Sequence, residues 1–226
     1  MIIAIIPARK GSKRIKNKNI KLFLGKPIID YSIYEAQKAK IFDEIIVSTN
    51  SKKIFNHSVK LGAKNSFIRD EKISGDHSSI LDVMSDAANK LIKLHNNKIK
   101  YLCCIFAASP LIQYKDLRKG YSEIKKNKFD YVFSATNYSY PIERSFKIKN
   151  DSLEMIDKKN YAKKSQFFDE TYHDAGQFYF GKIESWLNKK VIFNANSKII
   201  KLPHWRVQDI DVKDDWKRAE ILYKKL

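Results

Sequence analysis

The amino-terminal run MIIAIIP, residues Met1 to Pro7, decides the fold. It is continuously apolar, rich in β-branched side chains, and ends in a proline. Runs of this kind are typical of strands buried on both faces, and such strands lie at the centre of parallel sheets. The sequence therefore predicts an α/β protein built around this first strand.

Short apolar runs and amphipathic runs alternate along most of the remaining chain. This alternation predicts right-handed βαβ units and an open, mostly parallel, doubly wound sheet of Rossmann-like architecture. The predicted strands are Glu44–Ser48, Tyr101–Ala107, Tyr131–Ala135 and Gln177–Gly181. The predicted helices are Pro27–Lys40, Ser51–Leu61, Ser79 to about His95, Asp116–Lys126 and a last helix from Val212 onward.

The chain has 226 residues, 43% of them hydrophobic, which suits one domain with a well-buried core. From about 137 to 175 the alternation stops, and a connection of that length is usually functional. We predict an inserted excursion there, for dimerisation and substrate closure. No run approaches the ~18 apolar residues of a membrane-spanning helix, and the apolar start is too short for a secretory signal, so we expect a cytoplasmic protein.

A net charge of +19 leaves two interpretations open. The charge can be a solvated surface, or it can mark a face that binds a polyanion such as nucleic acid. Lysine supplies nearly all of it, whereas base and bidentate phosphate recognition favours arginine, so the first interpretation is preferred. The two cysteines, Cys103 and Cys104, are adjacent in a predicted strand and point to opposite faces, which argues against a disulfide or zinc site.

The loop from Ala8 to Asn19 follows the first predicted strand, where open α/β sheets bind ligands. It holds six cations, one glycine and one serine. Backbone N–H groups together with Lys and Arg charges suit a polyphosphate, and we predict that this loop binds a nucleoside triphosphate. It matches neither the P-loop nor the GxGxxG pattern. A merely solvated basic loop is the alternative.

Two carboxylates, Asp209 and Asp211, are two residues apart near the carboxyl terminus. If Val207–Asp211 ends a strand, both side chains lie on one face. One or two carboxylates plus substrate phosphates are a common way to hold Mg²⁺, so we predict a magnesium site. The alternative is that Asp211 caps the last helix.

Hydrogen-bonding and aromatic residues are dense between Tyr172 and Tyr179. Such a mixture suits contact with a small polar ligand. For His173, a structural role remains an alternative to substrate contact.

The run AIIPARKGSKRIKNKNI closely resembles the amino-terminal signature of the CMP-sialic acid synthetase family, cytidylyltransferases that activate nonulosonic acids with CTP. The resemblance continues through GKPIIDYSI, FDEIIVST, SPLI and QDID, and so covers most of the chain. Within the family, YHDAGQFYFG resembles the pseudaminic acid branch. The resemblance also implies a homodimer.

Carried over by position, the resemblance assigns residues to CTP, sugar and metal. Arg9, Lys13 and Asp211 would be catalytic, with Arg9 and Lys13 nearest the phosphates. Residues near CTP would be Ala8, Arg9, Ser12, Lys13, Lys18, Asn19, Arg69, Asp76, Ser78 and Ser79. Residues near the sugar would be Tyr172, His173, Asp174, Gln177 and Tyr179, and the ligands of Mg²⁺ would be Asp209 and Asp211.

The implied reaction is attack by the anomeric hydroxyl of pseudaminic acid on CTP, which yields a CMP-sugar for surface or flagellar glycans and releases pyrophosphate. One departure bears on the sugar. Enzymes acting on sialic acid have Gln-Pro-Thr-Ser-Pro where this chain has Phe106-Ala107-Ala108-Ser109-Pro110. The lost glutamine argues against N-acetylneuraminate, although neuraminic and legionaminic acids remain alternative substrates.

Overall fold

The computed structural model describes residues 1–64, 69–75 and 78–226. The strands are β1 (Ile2–Pro7), β2 (Leu22–Phe23), β3 (Lys26–Pro27), β4 (Glu44–Ser48), β5 (Tyr101–Ile105), β6 (Tyr131–Asn137), β7 (Phe146–Lys149), β8 (Ser152–Met155), β9 (Tyr172–Lys182) and β10 (Ser197–Lys201). The helices are α1 (Ile28–Ala39), α2 (Lys52–Lys60), α3 (Ile80–Leu94), α4 (Tyr114–Ile124), α5 (Ile183–Leu187) and α6 (Lys213–Tyr223).

Six strands form one sheet in the order β10-β6-β9-β5-β1-β4. β1 pairs in parallel with β4 and β5, and β10 pairs in parallel with β6. Strand β9 lies antiparallel between β5 and β6. The predicted α/β class and the mostly parallel open sheet are confirmed, with one reversed strand at the centre.

Helices pack on both faces of the sheet. Both faces of β1 are apolar, so each face is buried against one of these helical layers. Ile2, Ala4 and Ile6 pack toward the layer of α1, α2 and α4, whereas Ile3 and Ile5 pack toward α3 and α5. Cys103 and Cys104 divide between the same two layers, as the period of a strand requires, and both are buried free thiols.

A smaller aromatic cluster attaches α6 to the loop after β1. Phe23 contacts Tyr31, Trp216 and Tyr223 edge to face, at ring-centroid distances of 5.3, 5.6 and 5.8 Å. Such edge-to-face pairs add stability beyond the area they bury. The cluster holds the segment before α6 next to the basic loop.

The segment between β6 and β9, residues 138–171, contributes no strand to the main sheet; we call it the excursion. Its β7 and β8 form a separate hairpin in which Phe146 pairs with Met155 and Lys149 with Ser152. Several of its large apolar side chains are exposed, Tyr140 by 83% and Ile148 by 75%.

Strand β9 begins five residues earlier than the prediction of Gln177–Gly181. Tyr172, His173 and Asp174 pair with the end of β6 after a register shift between Phe133 and Ala135. Backbone pairing needs no apolar side chain, so the polar residues of this stretch concealed the strand.

The predicted strand at Val207–Asp211 is wrong. A 3-10 helix at His204–Arg206 leads into an irregular segment whose backbone is held by side chains rather than by a neighbouring strand. Lys18 Nζ donates to the Ile210 carbonyl at 2.6 Å, and Gln177 Nε2 donates to the Arg206 carbonyl at 2.8 Å. These bonds fix residues 207–211 without the alternation of a strand.

Asp211 does not cap α6 either. Val212 occupies the N-cap position, and the Asp215 carboxylate accepts the backbone N–H groups of Asp211 and Val212, each at 2.9 Å. The Asp211 side chain is therefore available for other contacts. In the described ranges, no helix is both long and apolar enough to cross a membrane.

Candidate active site

A cleft of about 610 Å³ opens beyond the carboxyl ends of β1 and β5. The loops that follow these two strands, from Pro7 and from Phe106, both line it. Parallel strands direct their carboxyl ends to the same edge, which is where open α/β sheets bind ligands. The topology thus brings segments from distant parts of the chain together.

Most of the residues predicted for the site line this one cleft. They are Arg9, Ser12, Lys13, Lys18, Asn19, Arg69, Ser78, Ser79, Asp174, Tyr179, Asp209 and Asp211.

The basic loop is fixed to the sheet by backbone contacts. Ala8 is buried, and its N–H donates to the Ser48 carbonyl at 2.9 Å, continuing the pairing of β1 with β4. Asn19 Nδ2 donates to the Arg9 carbonyl at 3.0 Å and closes the loop on itself. Ala8 thus supports the loop without lining the cleft.

Arg69 is the most deeply buried cation of the cleft, only 4% exposed. Its Nε and Nη2 atoms have no hydrogen-bond partner among the described residues. Burial lowers the pKa of its guanidinium, and the nearby charge of Arg9 lowers it further. A buried cation with unused donors beside a second cation is a prepared site for an anion.

Asp209 and Asp211 lie in the same cleft, beside the carboxyl-terminal part of the basic loop. Burial raises the pKa of Asp209, and the Asp211 carboxylate raises it further. Asp211 forms an ion pair with Arg14 at 2.8 Å and lies 3.6 Å from Lys18 Nζ. Two carboxylates that disfavour each other's charge fit a divalent cation, which would relieve that repulsion.

Asp174 and Tyr179 form a second polar pair in the cleft. The Tyr179 hydroxyl donates to one Asp174 carboxylate oxygen, and the Gly176 N–H donates to the other at 3.0 Å. Burial raises the pKa of Tyr179, and the Asp174 charge adds to this effect, so the phenol stays protonated. Both Asp174 oxygens are therefore oriented by the chain itself.

Ser78 and Ser79 lie where α3 begins. Ser79 caps the helix through a reciprocal capping box with Asp82, so its hydroxyl already has partners. The positive end of the helix dipole faces the cleft at this point. Asp76, predicted near the base or ribose, falls outside the described residues.

Phe106, in the position of the glutamine of the sialic-acid enzymes, lines the cleft, as do the two alanines that follow it, Ala107 and Ala108. Their turn is held by Ser32, which donates to the Phe106 carbonyl at 2.8 Å, and by Ser109, which donates to the Gly176 carbonyl at 2.7 Å. Their methyl groups leave space and offer no hydrogen bond at this wall.

Three residues predicted to contact the sugar lie elsewhere. His173 lines a separate cleft under the excursion, with its ring 4.8 Å from that of Tyr138. Tyr172 contacts Glu170 and Lys201 at the surface. Gln177 is buried and supports the Arg206 carbonyl.

Sequence reasoning missed Arg14 as a site residue, although its position in the basic loop was a usable signal. It also missed the buried ion pair between Arg206 and Asp116, at 2.6 Å, which anchors the segment that leads to Asp209. That pair joins residues 90 positions apart, so no local sequence pattern predicts it.

Taken together, the described lining of the cleft carries five cationic side chains and three carboxylates. The cations concentrate on the basic loop and at Arg69, and Asp211 lies in direct contact with that loop through Arg14. The cations suit a chain of phosphates, and the carboxylates suit a divalent cation beside it. Within the described ranges, no group of three His, Cys, Asp or Glu could hold a metal by protein ligands alone.

Comparison with known proteins agrees with this geometry. The chain is 41% identical over 223 residues to a pseudaminic acid cytidylyltransferase of Campylobacter jejuni subsp. jejuni serotype O:2, covering 98% of this chain and 96% of that protein. It is 35% identical over 209 residues to a Helicobacter pylori protein described as pseudaminic acid cytidylyltransferase and UDP-2,4-diacetamido-2,4,6-trideoxy-beta-L-altropyranose hydrolase, covering 92% of this chain and 40% of that protein.

Among solved structures, the fold is similar to that of CMP:2-keto-3-deoxy-manno-octonic acid synthetase complexed with CTP. The TM-score is 0.73 at 14% identity, and the match covers 99% of this chain and 98% of that one. Residues 3–211 match the family described as Cytidylyltransferase. On the extent of that match and the identity to its relatives, the chain belongs to the cytidylyltransferase family.

Proposed function

We propose that this protein transfers CMP from CTP to the anomeric hydroxyl of pseudaminic acid. The observation that carries the proposal is that one cleft brings Arg9, Lys13 and Arg69 together with the carboxylates of Asp209 and Asp211. The 41% identity to a pseudaminic acid cytidylyltransferase supports the choice of sugar.

The reaction is an in-line displacement at phosphorus. The anomeric oxygen forms a bond to the α-phosphorus of CTP, and its proton goes to water. The bond from the α-phosphorus to the oxygen bridging to the β-phosphorus breaks, and pyrophosphate leaves with the electron pair. Catalysis of such transfers rests mainly on positioning and on electrostatic stabilisation.

Arg9, Lys13 and Lys18 would offset the charge that develops on the phosphates, and Arg69 would bind a phosphate with its unused donors. Asp209 and Asp211 would hold Mg²⁺, and the raised pKa of Asp209 beside Asp211 fits that role. When bound, Mg²⁺ supplies positive charge beside the phosphates and the sugar hydroxyl. Asp174, held by Tyr179 and Gly176, would accept a hydrogen bond from the sugar.

A pyrophosphate-release assay with CTP tests the substrate. The panel contains pseudaminic, N-acetylneuraminic and legionaminic acids, each with and without Mg²⁺. We expect release with pseudaminic acid and Mg²⁺, and far less with N-acetylneuraminate, since Phe106, which stands in place of the glutamine, offers no side-chain hydrogen bond to it. Faster release with another nonulosonic acid would reassign the sugar and leave cytidylyl transfer intact.

The excursion would mediate dimerisation and close over bound sugar. Exposed Tyr140, Ile148 and Tyr161 support this role, because apolar patches on soluble proteins commonly mark interaction sites. Phe146 and Met155 pair across the hairpin, so an Asn-Gly turn can replace residues 147–154 without opening the ends.

We expect this shortened protein to bind CTP as the wild type does and to lose dimers in light scattering. Dimers that persist would place the interface elsewhere. A cytoplasmic location and use of the product in flagellar glycans are further proposals, which cell fractionation and glycan analysis of a deletion strain would test. Salt-dependent nucleic-acid binding without pyrophosphate release from any sugar would favour the rival interpretation of the charge.

A further inference from the structure

A second cleft, of about 540 Å³, adjoins the first at the basic loop. Lys13 and Arg14 line both clefts, so the two share a wall. We call the second cleft the basic groove. Its cationic lining consists of Lys13, Arg14, Lys16, Lys21, Lys53 and Lys213.

Arg14 of the basic groove is paired with Asp211, but the groove gathers more cations than that carboxylate can neutralise. Among the described residues, the lining of the groove includes no carboxylate. In the described part of the chain, Lys16, Lys53 and Lys213 form no ion pair, whereas many other surface lysines do. Their like charges repel one another, and an anion in the groove would relieve that repulsion.

Helix α2 adds to the imbalance. Lys52 and Lys53 occupy its first turn, which contains no acidic residue. Cations at this end oppose the helix dipole and destabilise the helix, so the arrangement is the reverse of what stability favours. Lys53, in this first turn, lines the basic groove, so the positive end of α2 adds to the positive potential there.

We propose that the basic groove is a second anion site, which binds pyrophosphate as it leaves the nucleotide cleft. This inference rests on the proposed function for the origin of the pyrophosphate. Lys13 and Arg14 would contact the β- and γ-phosphates before the reaction. After it, the pyrophosphate would move to Lys16, Lys53 and Lys213. Uptake of the product by charged groups outside the cleft would oppose its recapture.

The test measures pyrophosphate binding by calorimetry with saturating CTP and no sugar. CTP then fills the first cleft, no turnover occurs, and any pyrophosphate that binds is outside that cleft. Three proteins are compared: wild type, the groove variant K16Q/K53Q/K213Q, and a control variant K93Q/K98Q/K100Q. The control removes the same charge next to the end of α3 and the start of β5, the edge of the sheet away from the cleft.

We expect wild type and control to bind one pyrophosphate, and the groove variant to bind at least about tenfold more weakly, which corresponds to ~1.4 kcal/mol. Equal binding by all three proteins, or no binding by wild type, would overturn the proposal. Equal weakening in control and groove variants would reduce the effect to net charge and overturn it too. An oligonucleotide that binds the groove when pyrophosphate does not would identify a polyanion surface instead. Because no sugar is present, the outcome does not depend on which sugar the enzyme uses.

Discussion

The candidate active-site cleft and the excursion are both rich in charged and aromatic side chains, but they differ in how the core supports their backbones. In the cleft, the side chains stand on loops whose backbones are bonded to buried strands, as Ala8 is to Ser48. In the excursion, the hairpin pairs only with itself, and Ile148 and Leu153 are exposed. The cleft is organised by the core beneath it, whereas the hairpin of the excursion leaves its apolar side chains exposed.

The largest effect that we predict comes from the carboxylates of the cleft. Asp211→Asn should lower kcat about 10³-fold, because a metal ligand contributes several kcal/mol to stabilising transition-state charge. Pyrophosphate release measures it, and circular dichroism checks the fold. Asp214→Asn, on an exposed side chain three residues away, is the matched control and should retain activity. A fully active Asp211→Asn protein would remove this residue from the proposed metal site.

The same substitution in both regions compares their contributions to stability. Leu102→Ala, in the buried strand β5, should cost about 2–5 kcal/mol of unfolding free energy through lost burial and a cavity. Leu153→Ala, in the exposed hairpin, should change it by less than about 0.5 kcal/mol in the monomer. Urea unfolding at low protein concentration measures both. Equal losses would show that the hairpin packs on the monomer's core.

Substitution of Arg69 tests whether this buried cation lowers the stability of the protein while it strengthens CTP binding. Arg69→Met should weaken CTP binding about 10- to 100-fold, the range for hydrogen bonds to charged groups. It should also raise the melting temperature without nucleotide, because it removes a buried cation that lacks full hydrogen bonding. Arg118→Met, which removes an arginine from α4, is the control for CTP binding. Unchanged CTP affinity in Arg69→Met would exclude Arg69 from the nucleotide site.

The smallest effect concerns the pKa of Asp209, which burial and Asp211 raise above its ordinary value. The folded state then holds this proton more tightly than the unfolded state, so the wild type loses stability as pH rises from the ordinary carboxyl pKa through the raised one. Asp209→Asn should therefore be more stable than wild type at pH 7, and the difference should vanish near pH 3. Melting curves across this pH range, without metal, measure it. A difference independent of pH would contradict the assigned cause.

Sequence patterns predicted the elements in which the type of each side chain matches its burial or its place at a helix end. β1 is apolar on both faces, and α3 begins at a serine with an acidic residue three positions later, so both were visible. The two-residue spacing of Asp209 and Asp211 matches the period of a strand, but their segment is irregular. Its real supports, from Lys18, Gln177 and the Arg206–Asp116 pair, come from far along the chain.

The sequence by itself determined the class of fold, the basic loop after the first strand and the family, since each depends on local pattern or on a run of matching residues. Only the tertiary structure decided that β9 reverses between β5 and β6, that Arg14 pairs with Asp211, and that the loop's lysines face two clefts rather than one. These features depend on which distant segments become neighbours. The basic loop after β1 lies against the acidic segment before α6 because the aromatic cluster around Phe23 packs there.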